Sequence, residues 1–240
     1  MPVDADVSRL SFGILKERFE MQIAIDGPAS AGKSTIAKLV AKQLGFIYCD
    51  TGAMYRAVTL LAIQRDIDFG DEAKIMTALQ NAEITFKPGE TDQLVFLNGE
   101  DISLAIRQPD VTNNVSQVSA HPRVREAMVA KQRAIASQNN IVMDGRDIGT
   151  TVLPNAELKI FMVASVEERA RRRFAENQRK GIETPLATLV QEIEARDQKD
   201  TTREVSPLRQ ADDAIRIDTT ALSIDQVVAK ILDLAADRAN

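Results

Sequence analysis

The chain has 240 residues but a single cysteine, Cys49. That excludes an internal disulfide framework and fits a reducing cytoplasm. Cys49 follows an apolar stretch, so a buried structural thiol is expected rather than a reactive one. No apolar run approaches ~20 residues, which excludes a helical membrane span, and no membrane partner is expected. Residues 1–20 carry mixed charges and lack an apolar core segment, so they are expected to be an extension and not a secretory signal. There is no excess of positive charge: the formal net charge is −5. With no basic–aromatic interleaving either, a nucleic-acid partner is not expected. Tandem repeats and low-complexity segments are absent. An Asn-Lys-x-Asp guanine-reading segment is also absent, which argues against a GTP-dependent switch.

What is present is an ordinary globular composition, 44% hydrophobic and 27% charged, long enough for one large domain or one domain with insertions. Its most informative stretch is Gly27-Pro28-Ala29-Ser30-Ala31-Gly32-Lys33-Ser34, which fits the phosphate-binding loop pattern G-x-x-x-x-G-K-[ST]. The flanks agree. Residues 21–26 read as a short buried strand, and 35–44 as a helix with Ile36, Leu39, Val40 and Leu44 on one face. Glycines let the backbone wrap phosphates, and the helix N-terminus offers free N–H groups. Gly27 to Thr35 are therefore the expected ATP-binding residues. Lys33 is placed to reach the β- and γ-phosphates, and the Ser34 hydroxyl to meet Mg²⁺.

Beyond the loop, short apolar strands alternate with helices. Strands are expected at 46–49, 140–144, 158–163 and 214–218, and helices at 53–64, 124–137, 165–179, 186–196 and 224–235. This order implies an α/β fold with a parallel sheet covered by helices on both faces. Ligands in such sheets bind at the carboxyl ends of the strands. Two further strand-like runs, 83–87 and 93–97, flank a turn at 88–92. They interrupt the alternation and read as a small β unit inserted at about 71–108, the alternative being an edge hairpin of the main sheet. Ser165 and Glu168 fit a capping box at the start of their helix.

Three clusters carry chemistry. Asp144-Gly145-Arg146-Asp147 closes an apolar strand, where a carboxylate that holds Mg²⁺, directly or through water, is usually found; Asp144 is the candidate. Ordinary strand-end turn chemistry is the alternative. Asp50 to Arg56 opens the second helix. Thr51 is placed to cap it, and Arg56 lies where a cation opposes the helix dipole unless a bound phosphate compensates. Finally, arginines crowd 169–203. Arg171 fits a solvated face. Arg169, Arg172 and Arg173 share another face, where they would stabilise the charge of a transferring phosphoryl group. Two such helices joined at 178–181 would form a lid over about 165–203.

Taken together, these motifs resemble bacterial cytidylate kinases. Residues 25–34, 50–56, 144–150 and 196–200 carry the resemblance, with Ser116-Gln117-Val118, 122–125 and 206–208 in support. It runs from Met21 to the C-terminus, leaving 1–20 outside. It implies a P-loop NTPase fold of the nucleoside monophosphate kinase kind, a nucleoside monophosphate-binding insertion at the β unit, and transfer of a phosphoryl group from ATP to CMP or dCMP with Mg²⁺. By resemblance, Ser116, Arg125 and Asp147 read the cytosine, and Arg196 and Asp200 contact the sugar. Arg56, Arg146 and Arg203 grip the CMP phosphate beside Thr51, which stands where many members have serine. Lys33, Arg146, Arg172 and Arg203 are the expected catalytic residues, and Ser34 with Asp144 the expected metal contacts. Some members have glycine at the position of Ser34. The resemblance gives His121 no catalytic role. A cytoplasmic monomer is expected. A kinase for UMP or AMP on the same scaffold is the nearest rival.

Overall fold

The computed structural model describes residues 21–87, 89, 93–179 and 181–239. The extension read at 1–20, most of the turn at 88–92, and Lys180 in the expected lid connection lie outside the described residues.

From β1 (Gln22–Asp26) the chain passes through the glycine-rich loop into α1 (Lys33–Leu44), β2 (Ile47–Asp50) and α2 (Thr51–Gln64). Helix α3 (Glu72–Gln80) leads to three short strands, β3 (Ile84–Lys87), β4 (Leu94–Leu97) and β5 (Glu100–Asp101). A 3-10 turn at Ala105–Arg107 and the short helices α4 (Pro109–Thr112) and α5 (Val115–Val118) precede α6 (Pro122–Ala136). Strand β6 (Ile141–Gly145) ends in a π-turn at Ile148–Val152, followed by β7 (Leu158–Val163), α7 (Val166–Arg179), α8 (Leu186–Thr202), β8 (Ile215–Asp218) and α9 (Ile224–Ala239).

The main sheet has the order β2-β6-β1-β7-β8, and every pairing is parallel. One face is covered by α1 and α9, whose Ile36, Val40, Val228 and Ile231 meet Ile23, Ile25 and Ile160. The other is covered by α2 and α6, whose Met54, Val58, Val124 and Met128 meet Ala24 and Met143. Burying each such side chain contributes about 1.5–3 kcal/mol, which is why near-continuous apolar strands belong in the middle layer. The register sets Asp26 beside Gly145 and Asp50 beside Asp144. The chemistry-bearing strand ends therefore meet at one edge of the sheet.

The inserted β unit forms its own antiparallel sheet, β3-β4-β5, and pairs with no strand of the main sheet among the described residues. The edge-hairpin alternative is thereby excluded. Val95 and Leu97 of β4 pack instead with α2 through Ala57, Leu60 and Leu61.

Three local expectations are corrected. Thr51 does not cap α2: the Asp50 carboxylate accepts from the Ala53 amide at 2.8 Å, and Thr51 is already helical. The capping box at α7 is half formed. Ser165 Oγ accepts from the Glu168 amide at 3.2 Å, but the Glu168 carboxylate turns to Arg171 and Arg172 instead of back to Ser165. Helix α8 continues past Arg196 to Thr202, so Asp197, Lys199 and Asp200 lie on the helix and not after it. It packs on α7 through Ala170, Leu189 and Ile193. No helix among the described residues is long and apolar enough to cross a membrane.

Candidate active site

A cavity of about 780 Å³ opens at the carboxyl ends of the sheet strands. Its floor is the loop between β1 and α1, with Ala29 to Thr35 all facing it. Gly27 and Pro28, the first two residues of the loop and part of the expected ATP set, do not line the cavity. Gly27 has φ +150°, and a Cβ there would lie 2.0 Å from the Met162 carbonyl oxygen, so only glycine lets the loop leave β1 this close to β7. The Lys33 ammonium donates to the Pro28 carbonyl at 2.7 Å. Burial, with the Arg146 charge beside it, holds that ammonium well below the usual lysine range, and Asp144 opposes the shift.

Strand β6 delivers Asp144 to the loop. Its carboxylate accepts from Ser34 Oγ at 2.8 Å and from the Tyr48 hydroxyl at 2.8 Å. Thr51 Oγ1 donates to the Asp144 backbone carbonyl at 2.7 Å, so this threonine locks β6 to α2. Burial and the nearby Asp50 push the Asp144 carboxyl up, while Lys33 and the two hydroxyl donors pull it down. A carboxylate beside a hydroxyl is an all-oxygen donor set, which suits a hard cation such as Mg²⁺. No group of three or more His, Cys, Asp or Glu converges among the described residues. An ion there would therefore take further oxygens from nucleotide phosphates and water.

Asp147 and Arg125 form a buried ion pair, with Arg125 on α6 donating to Asp147 Oδ2. Arg203 NH2 lies 3.6 Å from the other carboxylate oxygen. The Arg125 guanidinium sits 5.4 Å from the Tyr55 ring centre. Asp200, on α8, is buried and accepts from Ser116 Oγ and Arg146 Nε, both at 2.9 Å. Burial alone would raise its carboxyl, but Arg146 and Arg196 hold it below the usual carboxylate range. Arg56 pairs with Asp50 at 3.0 Å, so the cation that opposes the α2 dipole is compensated by the helix's own cap.

The four expected catalytic residues, Lys33, Arg146, Arg172 and Arg203, all line this cavity, as do Arg125, Asp147, Arg196, Asp200, Thr51, Arg56 and Ser116. Asp26, also at a strand end, does not; it accepts from the Ile148 and Gly149 amides at 2.8 and 2.7 Å and so shapes the turn after β6. Burial pushes its carboxyl up to about 7. The face expected to carry three phosphate-seeking arginines divides. Arg172 and Arg173 face the cavity, whereas Arg169 is buried, with NH1 donating to the Ala29 carbonyl at 3.1 Å. Arg171 is exposed and pairs with Glu168, as expected of a solvated face.

Nine arginines and two lysines line the cavity against six carboxylates. This cationic pocket sits in a chain of net charge −5, so its field is local and fits a compact polyanion. Burial and Arg146 lower Arg196 to about 10, the mark of a crowded cation that a bound anion would relieve. The Nε atoms of Arg56 and Arg196 are buried and have no hydrogen-bond partner among the described residues.

A sequence model of the family described as cytidylate kinase matches residues 23–237. The chain belongs to the cytidylate kinase family. The cytidylate kinase of Lactiplantibacillus plantarum is 66% identical over 211 residues, 88% of this chain and 92% of the relative. That of Ligilactobacillus salivarius is 59% identical over 219 residues, 91% and 98% respectively. That of Enterococcus faecalis is 61% identical over 212 residues, 88% and 94%.

Several residues at or beside the site of this cytidylate kinase family member carry no sequence signal. Tyr48 reaches Asp144 only because β2 and β6 are neighbours in register. Arg107 comes from the 3-10 turn that follows β5 and lies 3.8 Å from Glu176 of α7. Arg179 ends α7 at the cavity rim. His121 faces away from the chemistry and lies 2.6 Å from the Phe69 carbonyl through Nε2.

Proposed function

We propose that the chain transfers the γ-phosphoryl group of ATP to CMP or dCMP, giving ADP and CDP or dCDP. One observation carries the reading: the phosphate loop and the polar set Ser116, Arg125 and Asp147 open into the same cavity. In this reading the loop amides and Lys33 hold the ATP phosphates. Ser34 and Asp144 would hold Mg²⁺, Asp144 directly or through water. Bound there with ATP, the ion would neutralise phosphate charge and align the transferring group.

Arg56, Arg146 and Arg203 grip the phosphate of CMP, and Arg196 and Asp200 contact its sugar. Asp147 accepts from the exocyclic amine of cytosine, while Arg125 and Ser116 donate to its ring nitrogen and carbonyl. Uracil offers a carbonyl where cytosine offers the amine, so Asp147 would meet a lone pair instead of a donor. The attacking CMP phosphate is already an anion, and no general base is needed. Catalysis is positioning and charge stabilisation, with Lys33, Arg146, Arg172 and Arg203 acting on the equatorial oxygens.

The β unit at about 71–108 serves as the monophosphate-binding insertion. Helices α7 and α8 serve as the lid over about 165–203, excluding water from the phosphoryl group. The reading describes a monomer, acting in a cytoplasm that supplies ATP and nucleoside monophosphates. The test is ADP release from ATP and Mg²⁺ with CMP, dCMP, UMP, AMP and GMP in turn. Activity with CMP and dCMP alone is expected. Equal activity with UMP would break the base-reading assignment, and inactivity with all five would overturn the reading.

A further inference from the structure

Ala29, near the start of the phosphate loop, is held through both its backbone groups. Its carbonyl accepts from Arg169 NH1 at 3.1 Å, and its amide donates to Asp197 Oδ1 at 3.4 Å. Asp197 Oδ2 lies 2.6 Å from Arg169 NH1, and Arg169 Nε donates to the Ala164 carbonyl at 3.0 Å. The loop, α7 and α8 thus close a small circuit. Neither Arg169 nor Asp197 lines the cavity, so neither is placed to touch a nucleotide.

The position of Asp197 on α8 matters. Arg196 precedes it and faces the cavity, and Asp200, one helical turn on, bonds Ser116 and Arg146, which also line that cavity. One rigid helix therefore carries groups for the monophosphate and a group that holds the ATP loop. We propose that Asp197 is a positioning residue that couples the two nucleotide sites. A monophosphate bound to Arg196 and Asp200 fixes α8, and α8 then presents Asp197 to Ala29 and Arg169. When α8 is displaced, the Ala29 amide loses its acceptor, and Arg169, which holds the Ala29 carbonyl, loses its acidic partner. Linkage requires the effect to be mutual: CMP tightens ATP binding by the factor with which ATP tightens CMP binding. The inference rests on the CMP kinase reading.

The experiment is calorimetric titration of the full chain with a non-hydrolysable ATP analogue and Mg²⁺, with and without saturating CMP. For the native chain, CMP is expected to tighten the analogue by about fivefold or more. In Asp197→Ala the factor is expected to fall below about twofold, with CMP binding alone little changed, because Asp197 touches no nucleotide. Asp197→Asn, which keeps an acceptor for the Ala29 amide but loses the charge opposite Arg169, should lie between them and serves if the alanine variant does not fold. A purely structural pair would lower the melting temperature and leave the coupling factor at its native value, and that result overturns the proposal. A native chain that binds both nucleotides with no coupling overturns it too. A native chain that binds neither overturns the kinase reading itself, so the two failures are distinguishable.

Discussion

Ser34 and Asp144 are 110 residues apart in the chain and 2.8 Å apart in space, hydroxyl to carboxylate. The contact joins the start of α1 to the end of β6 and exists only because β6 lies beside β1 in the sheet. In the proposed mechanism these two side chains would hold Mg²⁺, Asp144 directly or through water. Asp144→Asn keeps the size of the side chain and removes its charge. Turnover is expected to fall on the order of a hundredfold, with the Mg²⁺ requirement shifted upward. A magnesium titration at saturating ATP and CMP checks this, and an unshifted requirement would assign Asp144 to structure alone.

Closure of α7 and α8 is tested by hydrogen exchange. CMP together with an ATP analogue should slow exchange across both helices more than either nucleotide does alone. Asp200, Asp197 and Arg172 already tie these helices to the site through Ser116, Ala29 and Thr219. Exchange that the nucleotides leave unchanged would remove the lid from the account.

Cys49 is buried in β2, and burial pushes its thiol up to about 12. The folded value lies above the ordinary thiol value. Holding the thiol neutral therefore contributes stability throughout the range below that ordinary value, and the contribution fades as pH rises toward about 12. At pH 8 the native thiol should resist an aromatic disulfide reagent and react only as the chain unfolds. Rapid, stoichiometric reaction of the folded protein would show that Cys49 is not sealed.

Much of this arrangement is legible in the residues themselves. The phosphate loop follows from glycine spacing, and the parallel sheet from short apolar runs such as Ile141 to Met143. The missed features depend on distant parts of the chain. The last turn and a half of α8 carries no apolar stripe; Asp197 and Asp200 hold it through bonds to Arg169, Ser116 and Arg146. Thr51 has the chemistry of a cap, but Asp50 takes that role and leaves the Thr51 hydroxyl for the Asp144 carbonyl. Helical spacing places Arg169 beside Arg172 and Arg173, yet only the packing of α7 on the loop shows that it points at a carbonyl and not into the cavity.

The central claim is that Asp147 and Arg125 recognise cytosine. The direct measurement is the Michaelis constant of Asp147→Ala for CMP and for ATP, taken well below the melting temperature. That precaution matters because the variant leaves Arg125 buried without its carboxylate, a change that costs about 3–5 kcal/mol. A lost hydrogen bond to a charged group predicts a CMP constant raised about tenfold or more with the ATP constant nearly unchanged. An unchanged CMP constant in the folded variant would contradict the account.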